Sequence, residues 1–230
     1  MNCPTPLRAA WSRSRWLLPL AGLLLVPLLA EAHKLNTDLS KLSRTDIVLG
    51  YLEVGFTHIL PLGLDHILFI LGLFVLDPRL KPVLWQATAF TLAHSITLGL
   101  AAAGKVAPLP SVVEPLIALS ILFVAVENLL TDRLQPWRVA LVFGFGLLHG
   151  LGFAGVLAEI GLPRHAFAEA LISFNVGVEL GQVAVILLAW LLVGRWFGRK
   201  PWYKQRVLVP VSLLIGAVAL WWTVERVFFA

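Results

Sequence analysis

Residues 56–76 read FTHILPLGLDHILFILGLFVL. As a helix rising about 1.5 Å per residue, that run spans roughly 30 Å, the thickness of a bilayer's hydrocarbon core. Its apolar character predicts a membrane environment, yet His58, Asp65 and His66 lie within it. A charged side chain at the centre of a membrane helix costs about 2.5–3.5 kcal/mol on the insertion scale, so such groups face a bundle interior and have partners there. The stretch therefore predicts a helical membrane bundle with a polar interior.

The same reading extends along the chain. Further apolar runs cover 83–104, 111–130, 138–159, 168–193 and 207–228, with 47–55 as an amphipathic extension of the first span. Turn chemistry separates them at Asp77-Pro78, Pro108 to Pro110, Gln135-Pro136, Gly161 to Pro163 and Lys200-Pro201. Hydrophobic residues make up 59% of the chain and charged residues 13%, whereas soluble domains run near 45–50% and 25%. The mean hydropathy is +0.86. The expected fold is all-α, a polytopic membrane bundle of about six transmembrane helices over residues 47–230, with no room for a separate soluble catalytic domain. The formal charge of +5 does not signal nucleic acid, because no basic run is interleaved with aromatic residues.

The N-terminal segment reads as a cleavable signal peptide, residues 1–32. Arg8, Arg13 and Arg15 precede the apolar run Trp16–Ala30, which ends in Ala30-Glu31-Ala32. Cys3, the only cysteine, would leave with it. His33 would then be the mature N-terminus, its amino group and imidazole together a weak chelating pair for copper or nickel. Residues 33–46 are polar and form a short extracytoplasmic lead-in. With that N-terminus outside, the first, third and fifth connections face the cytoplasm. They hold Arg79, Lys81, Arg133, Arg138, Arg195, Arg199, Lys200, Lys204 and Arg206, nine basic residues against Lys105 and Arg164 in the outer loops. That bias predicts a multi-pass protein of the inner (cytoplasmic) membrane with both termini extracytoplasmic. Trp85, Trp137, Trp202 and Tyr203 lie near span ends, as interface anchors do.

Depth singles out the candidate site. The midpoints of the first, second, fourth and fifth spans fall near residues 66, 93, 148 and 180, so His66, His94, His149 and Glu179 occupy one layer. Imidazole and carboxylate groups from four helices, with no thiolate, suit zinc, nickel, cobalt or iron(II) rather than copper(I) or an iron–sulfur cluster. Asp65 could ligate directly or orient a histidine. On a straight helix His58 lies roughly 10 Å from Asp65 along the axis. Pro61 and Gly63 between them could break that helix, leaving His58 as an entrance ligand nearer the outer surface. Asn175 and Gln182 flank Glu179 at spacings of four and three, making either an interhelical hydrogen-bond seam or a cation or proton path. Ser95, with Thr88, Thr91 and Thr97, supplies hydroxyls around His94, for which back-bonding to the helix is the default. Gly146 and Gly150 flank His149 as a small-xxx-small face that lets another backbone approach closely. Glu127 and Asn128, near the cytoplasmic end of the third span, read as snorkelling or capping groups.

Several blocks resemble the HupE/UreJ family of bacterial membrane proteins: Gly55-Phe56-Thr57-His58-Ile59, Gly63 to Phe69 (GLDHILF), Thr91 to Leu98 (TLAHSITL), His149 to Ala154 (HGLGFA) and Phe174 to Gln182 (FNVGVELGQ). They run from about residue 50 to 190. The resemblance implies association with hydrogenase and urease systems, hence nickel supply by a permease or accessory protein. Carried over, it points to His58, Asp65, His66, His94, His149 and Glu179. The HxxxxDH motif of nickel and cobalt permeases is approximated, with six residues between His58 and Asp65.

The leading expectation is a protein that binds and transports, or otherwise handles, a divalent metal, with the lipid bilayer as its other partner and Ser95, Asn175 and Gln182 in support. Self-association and metalloenzyme-maturation partners are compatible with it. The alternative is a membrane-embedded metal-dependent hydrolase, with a three-histidine zinc-type site, Asp65 or Glu179 as base and Ser95 as an auxiliary donor. A third reading makes the histidines packing groups of a structural membrane protein. Site geometry discriminates between the first two.

Overall fold

A computed structural model describes residues 43–131 and 133–229. The expected signal segment 1–32, His33 and most of the lead-in lie outside those residues. The end of the lead-in is already helical. Helix α1 (Arg44–Ile59) begins where the Ser43 hydroxyl accepts from the Asp46 backbone N–H, a standard N-cap. It is followed by α2 (Leu64–Leu76), α3 (Leu80–Ala102), α4 (Pro110–Leu130), α5 (Arg138–Gly152), α6 (Ala154–Ile160), α7 (Phe167–Ala189) and α8 (Val209–Phe228). Two π-helical turns, Trp190–Gly194 and Lys204–Leu208, extend α7 and lead into α8. Every regular element among the described residues is helical.

Four helical stretches are long and apolar enough to cross a membrane: Pro110–Leu130, Arg138–Ile160, Phe167–Phe197 and Lys204–Phe228. Helices α1 and α2 qualify together as a fifth, bent by 65° at a short break. The expected first span is thus two helices, and Pro61 and Gly63 explain why. Proline has no N–H to give and clashes with the preceding turn, and a Cβ at Gly63 would lie 3.2 Å from the His58 carbonyl carbon. The 23 residues of α3 have the length of a span. Its Gln86, Thr88, Thr91, His94, Ser95 and Thr97 leave it less apolar than the four stretches that qualify.

The helices associate as three close pairs: α1 with α7, α3 with α5, and α4 with α8. The short α2 sits among them, packing on α4, α7 and α8. Its Ile70, Phe74 and Val75 join one apolar cluster with Ile59, Phe174 and Ile186, while its Phe69 and Leu73 join another with Phe90, Ile121 and Ile215. Because lipid offers no hydrophobic drive for helices to pair, close backbone approach has to supply the dispersion energy. A Cβ at Gly177 of α7 would come within 3.0 Å of the Gly55 Cα on α1, and one at Gly150 of α5 within 3.0 Å of the His94 carbonyl carbon on α3. The small-xxx-small face of α5 is therefore the surface that receives α3.

At the far end of α4, Glu127 and Asn128 do not snorkel. Arg138 pairs with the Glu127 carboxylate at 3.1 Å, with side chains 0% and 5% exposed. Asn128 accepts from the Arg138 guanidinium and donates to the Gly72 carbonyl at 2.7 Å. A buried guanidinium needs an anion, and the pair ties α4, α5 and α2 together. Arg138 is consequently an interior residue rather than one of the loop charges among which it was counted.

Candidate metal centre

The break between α1 and α2 builds the site. Eight residues apart on one straight helix, His58 and His66 would be about 12 Å apart along the axis. Across the 65° bend, their ring centroids are 4.6 Å apart. His94, from the middle of α3, stands 6.1 Å from each of them. One ring nitrogen from each of His58, His66 and His94 lies within 4.8 Å of the others. His58 thus stands beside His66 and His94, where a straight helix would have carried it away from them. His149 of α5 adds a fourth imidazole, 5.0 Å from His66.

The hydrogen bonds give the rings a common orientation. Asp65 Oδ1 accepts from the His66 backbone N–H at 2.9 Å and lies 3.2 Å from His66 Nδ1. His94 Nδ1 lies 3.3 Å from Asn175 Oδ1, and the Asn175 amide N–H₂ donates to the Leu171 carbonyl, which leaves its oxygen facing the imidazole. His149 Nδ1 lies 2.9 Å from the Phe145 carbonyl. Each partner atom is an acceptor, so the proton of each neutral ring belongs on Nδ1 and the Nε2 lone pair is free. The Nε2 atoms of His58, His66, His94 and His149 are all buried and have no hydrogen-bond partner among the described residues. Three buried lone pairs without donors, with the buried Nε2 of His58 beside them, are costly unless something electropositive meets them. A carboxylate or carbonyl behind the imidazole is also how metal-binding histidines are held.

Fit can be checked on distance. Nitrogens on one tetrahedral ion, each about 2.1 Å from it, are about 3.4 Å apart. The limit of 4.8 Å therefore leaves at most about 1.4 Å to close, which side-chain rotation can supply. Aromatic rings enclose the group: Phe153 lies 3.9 Å from His58, Phe90 4.9 Å from His149, and Phe174 stacks beside His94 at 6.3 Å. Their apolar faces lower the dielectric around the imidazoles. A cavity of about 260 Å³ reaches His58, Asp65, His66 and His149, and the exposed Glu114 and partly buried Arg226 also line it. Glu114 lies near the start of α4 and Arg226 near the end of α8, so the cavity opens at that end of the bundle. It is small for an organic ligand and roomy for an ion with waters.

Of the remaining candidates, Asp65 stays at the cluster, against His66 and lining the same cavity. Ser95 donates to the Thr91 carbonyl of its own helix, the default behaviour of a helical serine. Glu179 accepts from the hydroxyl of Thr88 at 2.7 Å and from that of Thr91. The layer of span midpoints set it level with His94, but the α3–α7 register pairs His94 with Asn175, one helical turn away. Gln182 is 1% exposed, and neither end of its amide has a partner among the described residues. The phenylalanines around the imidazoles escaped the sequence reading, since in an apolar span an aromatic residue does not announce which face it occupies.

Fold and site together define a helical membrane protein with a buried histidine cluster suited to a metal ion. A family model described as HupE / UreJ protein matches residues 33–226, and the chain belongs to the HupE/UreJ family. No curated protein and no solved structure matches it significantly. The family and the cluster together indicate metal handling, of the nickel accessory or transport kind.

Proposed function

We propose that this chain binds a divalent transition-metal ion, nickel or a close neighbour, at the cluster of His58, His66, His94 and His149 and carries it through the inner membrane. One observation carries the reading: three imidazoles held by acceptors on Nδ1, each presenting a buried, unpartnered Nε2. Imidazole suits nickel, zinc, cobalt and iron(II), and binding through Nε2 requires a neutral ring with its proton on Nδ1, the tautomer that these acceptors select. Membership in the HupE/UreJ family supports nickel as the cargo. Delivery to metalloenzyme-maturation partners at the membrane is the accessory form of the same activity.

The bundle crosses the membrane six times in this reading, with α1–α2 as one broken crossing and α3 as another, and both termini are extracytoplasmic. The basic loops after α2, α4 and α7 support that orientation. A discontinuous helix at the ion site is how many transporters place backbone and side-chain ligands at mid-bilayer. Hydrolysis fits less well. No carboxylate stands across the imidazoles as a general base would, since Asp65 contacts His66 on its Nδ1 side and Glu179 bonds Thr88 and Thr91 a turn away.

Metal content of detergent-purified protein, measured by mass spectrometry after exposure to nickel, tests the reading. Near-stoichiometric metal in the wild type, lost in a His66→Ala/His94→Ala/His149→Ala variant, is expected, together with nickel flux into proteoliposomes that the same variant abolishes. Wild-type protein that takes up neither nickel, cobalt nor zinc would overturn it.

A further inference from the structure

Helix α7 carries a polar stripe, Asn175, Glu179 and Gln182, along the side that meets α3. Asn175 belongs to the histidine cluster through His94. One turn on, the Glu179 carboxylate is met on both oxygens by neutral hydroxyls, Thr88 and Thr91. Three residues further, Gln182 is 1% exposed, with amide oxygen and nitrogen both unpartnered among the described residues. Residues i and i+3 share a helix face with about 5–6 Å between their Cβ atoms, so Gln182 and Glu179 lie on one face of α7. Thr88 also lines a second cavity, of about 410 Å³, with Leu80, Lys81, Leu84 and Trp85 at the start of α3. Helices α3 and α4 are consecutive and separated by one connection, so the start of α3 and the start of α4 lie at opposite ends of the bundle. The first cavity therefore approaches the histidines from one end and the second approaches Glu179 from the other.

We propose that Glu179, Thr88, Thr91 and Gln182 form a second cation subsite, built from oxygen donors, that takes the ion from the histidine cluster toward the cavity at the start of α3. A buried primary amide with neither end bonded is a costly residue to keep in a helix interface that serves packing alone. A carboxylate, two hydroxyls and an amide oxygen are hard ligands, which suit manganese(II), magnesium or a partly hydrated ion better than they suit dehydrated nickel. Along α7 the stripe from Asn175 to Gln182 covers about 10 Å. An ion leaving the imidazoles for weaker oxygen ligands is released by degrees, as conduction through successive sites requires. This assignment rests on the metal centre proposed above for the ion's origin, but its ligands are separate.

Manganese(II) is the probe that separates the two sites, read by electron paramagnetic resonance on the full-length purified protein. Wild type should bind manganese with millimolar to high-micromolar affinity even when nickel saturates the histidines. Glu179→Gln, nearly isosteric, should weaken manganese binding at least tenfold and slow nickel flux, with nickel affinity at the cluster unchanged. Gln182→Leu should weaken manganese binding by a smaller factor, and a thermal melt matching wild type shows that both variants fold. His66→Ala/His94→Ala should abolish tight nickel binding and leave the manganese signal intact. Manganese binding that survives Glu179→Gln, or vanishes with His66→Ala/His94→Ala, overturns the subsite. Glu179-dependent manganese binding in a protein that takes up no nickel would support the subsite and overturn the histidine site instead.

Discussion

Asn175→Leu is the substitution that tests the logic of the histidine cluster most narrowly, because Asn175 acts on the site only through His94. Leucine keeps the bulk and removes the acceptor that holds the His94 proton on Nδ1. Partners of this kind change metal affinity by about 10–100-fold, or about 1.4–2.8 kcal/mol. Two features place this one at the lower end. The acceptor is neutral, and at 3.3 Å the contact is longer than an ordinary N–H···O bond of about 2.9–3.0 Å. About a tenfold loss of nickel affinity follows. Asp65→Ala, which removes a carboxylate acceptor 3.2 Å from His66, should approach the hundredfold end. Competition dialysis against a chelator of known affinity, on protein whose melting temperature matches wild type, gives both values. His94→Ala sets the scale as loss of a ligand, and Asn175→Asp, which restores an acceptor, should return affinity to wild type or above. An Asn175→Leu protein within twofold of wild type, beside a His94→Ala protein that has lost its metal, would refute the role given to the hydrogen bond.

Three further outcomes are expected. Gly150→Ala forces the α3 backbone away from α5 at the turn bearing His94 and disturbs the Thr97 hydroxyl that bonds the Leu147 carbonyl; it should cost about 1–3 kcal/mol of stability in a detergent melt and lower metal loading together with it. Glu127→Gln, which leaves Arg138 buried and unpaired, should cost about 3–5 kcal/mol, whereas Glu127→Leu/Arg138→Met should recover most of that loss, a comparison that a double-mutant cycle in chemical denaturation makes directly. Arg226 places a positive charge at the mouth of the cavity that leads to the histidines, so Arg226→Gln should speed nickel association several-fold at low ionic strength and by progressively less as salt screens the charge, measured by stopped-flow quenching of protein fluorescence.

Much of this architecture was visible in apolar run lengths, because lipid imposes the same length on every crossing. The runs at 111–130 and 138–159 correspond closely to helices α4 and α5–α6. Depth along a helix was legible for His66, His94 and His149, each near the middle of its own run. It misled for Glu179, since α7 continues to Phe197 and meets α3 a turn out of step with the layer its midpoint suggests. Pro61 and Gly63 announced a break, but no residue pattern states the size or direction of a bend, and that bend alone turns His58 from an outlying residue into a neighbour of His66. Glu127 and Arg138 are charged residues of ordinary spacing at the ends of two spans. Only the packing of α4 on α5 tells a buried pair from two headgroup-facing side chains. The run at 83–104 likewise corresponds to α3, whose hydroxyls, glutamine and histidine leave it less oil-like than the stretches apolar enough to cross a membrane.

Helices α1 and α7 form a close pair, yet the ribosome makes one more than a hundred residues before the other. While the early helices enter the bilayer, the glycine face of α1 has no mate, and the imidazoles of α1, α2 and α3 lack Asn175. The hydroxyl of Tyr51 likewise waits for the carbonyl of Gly161, its partner in the finished protein. Orientation of His94 is therefore among the last events of biogenesis. On the proposed metal-binding reading, a chain still lacking α7 has no Asn175 acceptor for His94, and its affinity for metal is expected to fall by the factor that Asn175→Leu measures.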